Sequence, residues 1–124
     1  MSARETEQQP RHSDYSQRGC PVEASLELIG GKGKGAILFH LLEGTLRFNE
    51  LQRRLEGISQ RILTKQLRDL EECGLVHREV FAEVPPRVEY SLTPKGETLR
   101  PVILALMEWG KAHAFDILQV KNSA

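Results

Sequence analysis

Sixteen consecutive residues, Ser59 to Gly74, carry the signature of one helix with both ends marked, and the residues after them do not read as helix. Ser59 is a good N-cap, because its hydroxyl can accept from an orphan amide of the first turn. Gly74 suits the left-handed position just past a helix C-terminus. Between them Leu63, Leu67 and Leu70 recur at i, i+4 and i+7, which is one face at 3.6 residues per turn. The opposite face carries Arg61, Thr64, Lys65 and Arg68, with Gln60 beside them. A helix backed by leucines and fronted by these side chains has the chemistry to read the DNA major groove. An ordinary solvated helix looks the same in isolation, so its neighbours must decide.

Upstream, Phe48 to Leu55 reads as a second helix, with Phe48, Leu51 and Leu55 on one side, and Gly57-Ile58 turns the chain into Ser59. Two helices joined by a turn of roughly three to four residues form a helix-turn-helix. Downstream the period drops from 3.6 to 2. Val76, Val80, Ala82 and Val84 alternate with His77, Glu79, Phe81 and Glu83, Pro85-Pro86 interrupts, and Val88, Tyr90 and Leu92 alternate with Arg87, Glu89 and Ser91. This is a two-stranded hairpin with a proline tip carrying Arg87. A hairpin directly after a helix-turn-helix is a wing, and agreement between successive elements is stronger than any one of them.

The flanks fill in the fold. Met1 to Gly19 is polar and reads as a disordered arm, its arginines balanced by acidic residues. Cys20-Pro21 opens a helix over Val22 to Ile29, with proline favourable in a first turn. The glycine-rich run Gly30 to Gly35 invites a phosphate-loop reading and fails it, since Ala36 and Ile37 stand where that motif needs lysine and a hydroxyl residue. It reads instead as a flexible entry to an apolar core helix, Ala36 to Leu42. Thr45-Leu46-Arg47 fits a short edge strand. Thr93 and Pro94 restart a helix whose apolar stripe, Leu99, Val102, Ile103, Leu106, Trp109, His113 and Ile117, extends past what a small winged helix covers alone. Pro101 should bend or split it near Arg100. The expected class is α+β, mainly α: a winged helix-turn-helix with N- and C-terminal dimerisation helices. The expected layout is an arm over 1–19, the domain over 20–118 and a tail over 119–124.

Composition narrows the function. The formal net charge is zero, yet between Arg47 and Arg68 six basic residues face two acidic ones, a local excess of +4. The two cysteines make no disulfide framework, and the four histidines lack metal-ligand spacing. No apolar run reaches membrane-spanning length and no signal core opens the chain, so it reads as cytoplasmic with no membrane partner. No cofactor motif and no metal site is expected, and an enzyme with Cys20 as nucleophile ranks last because no base or oxyanion motif accompanies it.

With these elements placed, Cys20 to about Lys111 resembles the HxlR family, a branch of MarR-like winged-helix transcription regulators. The resemblance lies in Cys20-Pro21-Val22-Glu23, Gly30-Gly31-Lys32, Leu46-Arg47-Phe48-Asn49-Glu50-Leu51, Ile58 to Thr64, Leu67 to Glu71, Gly74-Leu75-Val76, Val84 to Thr93 and Trp109-Gly110. It implies a homodimeric DNA-binding regulator, often responsive to electrophiles, aldehydes or oxidants, with the sensing cysteine at the position of Cys20. One departure stands out: Gly33 occupies the place where the resemblance leads one to expect Trp, so this chain lacks the ring against which an effector pocket would be built.

The expected sites follow. Gln60, Arg61, Thr64 and Lys65 face the groove, and Ser59, which caps their helix, is expected at DNA as well. Arg47, Asn49, Arg68 and Arg87 hold phosphates or the minor groove at the wing. Cys20 stands at a helix start, where amides favour the reactive thiolate; the alternatives are a redox or electrophile sensor and an unreactive thiol. Cys73 is expected buried. Val22, Leu26, Leu99, Val102, Ile103, Leu106, Trp109 and His113 are the expected dimer face, against intramolecular packing alone. The partners are then double-stranded DNA with a pseudo-palindromic operator, a second copy of the chain, and a small-molecule effector of open identity. The rival class is a winged helix that binds protein and no DNA, marked by a flat salt dependence.

Overall fold

The computed structural model describes residues 19–123, so the expected N-terminal arm lies, apart from Gly19, outside the described residues. Helix α1 spans Pro21–Ile29, α2 Lys34–Leu41, strand β1 Leu46–Arg47, α3 Phe48–Arg54 and α4 Gln60–Glu72. Strands β2 (Val76–Phe81) and β3 (Arg87–Leu92) follow, then α5 (Pro94–Glu97), α6 (Arg100–Trp109), a π-helical turn over Gly110–Ala114, and α7 (Phe115–Ser123).

The reading helix α4 is closed at both ends by its own sequence. The Ser59 hydroxyl accepts from the Ile62 amide at 3.1 Å. At the other end Gly74 takes φ +78°, the Leu75 amide donates to the Leu70 carbonyl at 3.0 Å, and the Gly74 amide donates to the Glu71 carbonyl at 3.0 Å. That pair of bonds is a Schellman cap, which needs a residue free to enter the left-handed region. Helix α3 is capped from its first turn, where the Glu50 carboxylate accepts from the Arg47 amide at 2.8 Å. The turn between α3 and α4 is held by the Gln52 side-chain amide, which donates to the Ile58 carbonyl at 2.9 Å.

The core sits where these helices meet. Ile37, Leu38 and Leu41 of α2, Leu51 of α3, and Leu63, Leu67 and Leu70 of α4 are fully buried, joined by Leu46, Leu55, Leu75, Val76, Tyr90 and Ile103. Each buried leucine or isoleucine contributes about 1.5–3 kcal/mol, which locks α4 by its leucine face and leaves the other face outward. The sheet is antiparallel in the order β1-β3-β2, with Leu46 opposite Tyr90 and β2 and β3 in register from Val76↔Leu92 to Phe81↔Arg87. Thr93 joins wing to C-terminal helices: its hydroxyl donates to the Gly74 carbonyl at 2.6 Å and accepts from the Gly96 amide at 2.9 Å. The expected break near Arg100 is present, with α5 ending at Glu97 and α6 carrying Pro101 in its first turn.

Four expectations need correction. The glycine-rich run is not a loose entry. The Lys32 carbonyl accepts from the Gln66 side chain at 2.9 Å, and Lys34 forms a buried ion pair with Asp69, so the loop is docked on the back of α4. The alternation read from Val76 to Val84 runs past the strand, since β2 ends at Phe81, and Val80 and Val84 are both exposed where the wing projects beyond the core. Ile103 is 3 % exposed within the single chain and Leu99 packs against the same core, so neither belongs to the free dimer face; α6 lies against α2 and spends that side on it. Finally, residues expected as a tail after 118 are helical to Ser123.

Candidate nucleic-acid interface

Anchored from behind by its leucines, α4 presents Gln60, Arg61, Thr64, Lys65 and Arg68 to solvent. Its inward side has more than apolar packing. Lys34 and Asp69, both almost fully buried, pair across the α2–α4 contact, and Gln66 reaches the Lys32 carbonyl. These contacts fix the helix's rotation about its own axis, which sets the direction in which Arg61 and Lys65 point. Neither Lys34 nor Gln66 stood out in the sequence, since nothing in a linear pattern relates residues more than thirty positions apart.

Arg47 and Asn49 lie at the start of α3, beside the wing. With Phe48 and the segment Glu83 to Val88 they line an open groove of about 420 Å3. The structure therefore brings three of the expected backbone-binding residues, Arg47, Asn49 and Arg87, to one groove, apart from the α4 surface. Arg87 is already engaged there. Its guanidinium donates to Glu83 at 2.8 Å and to Glu89, and it stacks 3.9 Å above the Phe81 ring. The hydrogen bond to Glu83 is the first cause holding its pKa above the ordinary arginine value. Its Nε is buried without a hydrogen-bond partner. Arg87, expected to hold a phosphate or the minor groove, here shares its charge with two carboxylates, and its geometry clamps the wing.

A second cleft, about 310 Å3, separates α4 from the sheet and is lined by Thr64, Arg68, Glu71, Arg78 and Tyr90. It joins Thr64 and Arg68, both expected at DNA, to Arg78, which the sequence reading did not single out. The available signal was a basic residue at an inward position of the β2 alternation, between Val76 and Val80.

Cys20 is the N-cap of α1 and is exposed, with no side-chain capping bond. Cys73 is half-buried, at the C-cap of α4, and packs against the core. The remaining expected dimer residues are exposed: Val22 and Leu26 on α1, and Val102, Leu106, Trp109 and His113 on α6 and the π turn, where the Trp109 and His113 rings sit 5.3 Å apart. Ile117, the last residue of the expected stripe, is exposed too, and the sequence reading missed that Phe115, Leu118 and Val120 of α7 widen this apolar surface. Among the described residues no three histidine, cysteine or acidic side chains gather as a metal site requires, and no helix is long and apolar enough to cross a membrane.

Comparison with known proteins agrees with this architecture. The family model described as HxlR-like helix-turn-helix matches residues 28–116. The HTH-type transcriptional regulator YybR of Bacillus subtilis (strain 168) is 52% identical over 108 residues, spanning 87% of this chain and 86% of the relative. The redox regulator HypR in its reduced form superposes with a TM-score of 0.75 at 51% identity, covering 82% of this chain and 99% of that one. The reduced form of the transcriptional regulator YodB from B. subtilis superposes at 0.65 with 34% identity, covering 77% and 94%. The chain belongs to the HxlR-like helix-turn-helix family, as a winged-helix transcription regulator.

Proposed function

We propose that the chain works as a homodimer that reads a pseudo-palindromic DNA operator with two α4 helices and changes its DNA occupancy when Cys20 is oxidised or alkylated. The observation that carries the DNA reading is the exposed Gln60–Arg61–Thr64–Lys65–Arg68 face on a helix locked from behind. Arg and Lys reach guanine O6 and N7 and Gln pairs with adenine, at roughly 1–3 kcal/mol per good bidentate contact. Arg47 and Asn49 supply register through the backbone, and Arg87 holds the wing in shape.

The homodimer is supported by the apolar surface of α1, α6 and α7. Val22, Leu26, Val102, Leu106, Trp109, Phe115, Ile117, Leu118 and Val120 are all exposed, more than single scattered apolar residues would leave. Two-fold pairing through these helices sets the spacing of two reading heads, hence a pseudo-palindromic site. Redox control is supported by the exposure of Cys20 at the start of α1, one of the helices of that surface, and by similarity to a protein named a redox regulator. Oxidation by diamide joins Cys20 to a second thiol, with two electrons and two protons passing to the diazene.

The test is sequencing of genomic fragments retained by purified protein, with and without diamide, for wild type and Cys20→Ser. Enrichment of a two-fold motif that changes on oxidation in wild type and not in Cys20→Ser is expected. Unchanged occupancy in both proteins rejects the sensor; absence of any enriched motif, with flat salt dependence, favours the protein-binding alternative.

A further inference from the structure

We propose that Arg78, together with Arg68, holds a DNA backbone phosphate in the cleft between the reading helix and the wing; this rests on the DNA-reading function above. The two arginines line one cleft with Thr64 and Tyr90, whose hydroxyls add donors of the kind phosphate oxygens accept, and with Glu71. Among the described residues neither arginine has an ion-pair partner, whereas Arg87 on the same wing is paired twice. A guanidinium left unpaired in a concave polar site is available for a fork of hydrogen bonds to phosphate.

The strand pairing says which wing residues face the cleft. Arg78 stands opposite Tyr90, and Phe81 opposite Arg87. Side chains alternate along each strand, so Val76, Arg78 and Val80 share the face of Tyr90, turned toward α4. His77, Glu79, Phe81, Arg87 and Glu89 share the other. That outer face is mixed in charge: Glu79 and Glu89 sit opposite each other in the ladder, Glu83 joins Glu89 on Arg87, and Arg47 of β1 stands opposite Glu89. The cleft on the inner face sets two arginines without ion-pair partners among the described residues, Arg68 and Arg78, against the single carboxylate of Glu71, and that excess draws a phosphate into the cleft. With α4 in a major groove and the wing at its edge, the sugar-phosphate strand bordering that groove runs between them, along the cleft. Glu71, on the cleft's wall, is the opposing charge and tempers the contact.

Fluorescence anisotropy of a labelled mixed-sequence duplex across a salt series tests this, with wild type, Arg78→Ala, Arg78→Gln, Arg78→Lys and Glu71→Gln. Losing one phosphate contact lowers the log–log salt slope by about 0.9, equivalent to about eightfold in affinity at 0.1 M salt against a 1 M reference. Arg78→Ala and Arg78→Gln should show that loss on every sequence, Arg78→Lys should retain most of the slope, and Glu71→Gln should bind more tightly than wild type. Urea midpoints of each variant separate a lost contact from a lost fold. If Arg78→Ala is unfolded, Arg78→Gln, which keeps most of the stem, carries the same decision. Folded Arg78 variants with wild-type affinity and slope overturn the cleft alone, as does a Glu71→Gln that binds no more tightly. Wild type that binds no duplex in a salt-dependent way overturns the DNA-reading function beneath it.

Discussion

Lys34 and Asp69 form a buried ion pair that ties the first turn of α2 to the inner side of the reading helix, each with about a twentieth of its surface exposed. Removing one partner strands the other charge away from water. Lys34→Ala or Asp69→Ala should therefore each cost about 3–5 kcal/mol, while the double change Lys34→Met with Asp69→Leu should recover most of it. Urea unfolding of the three variants measures this. Single changes costing less than about 1 kcal/mol would show that water reaches the pair.

Gly33 supplies a backbone conformation and a space at once. Its φ is +84°, and a Cβ built there would lie 2.5 Å from Ile58 Cδ1. Gly33→Ala should cost roughly 1–2 kcal/mol from the left-handed backbone. Since the crowded atom is the end of a side chain, the cost should fall only slightly in an Ile58→Val background. A cost abolished by Ile58→Val would place the strain in the contact instead. A Trp at this position would meet the same conformation, so Gly33→Trp should destabilise the domain unless the loop rearranges.

Arg61 and Arg87 should fail differently. Arg61→Ala should weaken operator binding by about 1–3 kcal/mol and relax sequence preference. Arg87→Ala should weaken binding evenly across sequences, because it releases Glu83 and Glu89 and the Phe81 stack together. Arg87→Lys should not restore it, since a point charge cannot fork onto two carboxylates while lying flat on the ring. Competition binding on operator and scrambled duplexes separates the two, and amide exchange in residues 82–88 should speed up in both Arg87 variants.

The expected dimer residues now divide into two groups with opposite predictions. Ile103→Ala should cost about 2–5 kcal/mol of stability, as a core truncation does. Leu106→Glu and Trp109→Glu, at positions 51% and 56% exposed, should leave the fold intact and shift the sedimentation mass toward the monomer. A dimer that survives both charged substitutions would place the interface elsewhere.

His40 gives a pH dependence. Burial, and then the charge of Arg54, hold its pKa below the ordinary histidine value, with Glu43 pulling the other way. The folded state therefore binds the proton less readily than the unfolded chain. Its contribution to stability is complete above the unfolded histidine pKa of about 6.5 and is lost as pH falls below that toward the lowered folded value. The melting temperature should fall between pH 7.5 and 5.5 more in wild type than in His40→Gln. Equal slopes would remove His40 from the acid sensitivity.

Much of the reading head was legible because its information is local. Ser59 and Gly74 mark the ends of α4 with caps that depend on neighbouring residues alone, and the leucines at 63, 67 and 70 define its buried face by spacing. The change of period after Gly74 and the restart at Thr93-Pro94 placed the wing and the C-terminal helices for the same reason.

What the linear pattern could not contain is which of two equally apolar or equally charged residues meets a partner. Ile103 and Leu106 are indistinguishable on a helical stripe, and only the seating of α6 on α2 buries one and exposes the other. Arg78 and Arg87 are both basic residues of one hairpin; strand register puts one on the face toward α4 and sets the other between Glu83 and Glu89. Nothing in the sequence pattern paired Lys34 with Asp69, 35 residues apart. Caps and periodicity act over a few residues and survive in the sequence as spacing. Pairing across the core depends on how whole elements pack, and that is decided only when the chain has closed on itself.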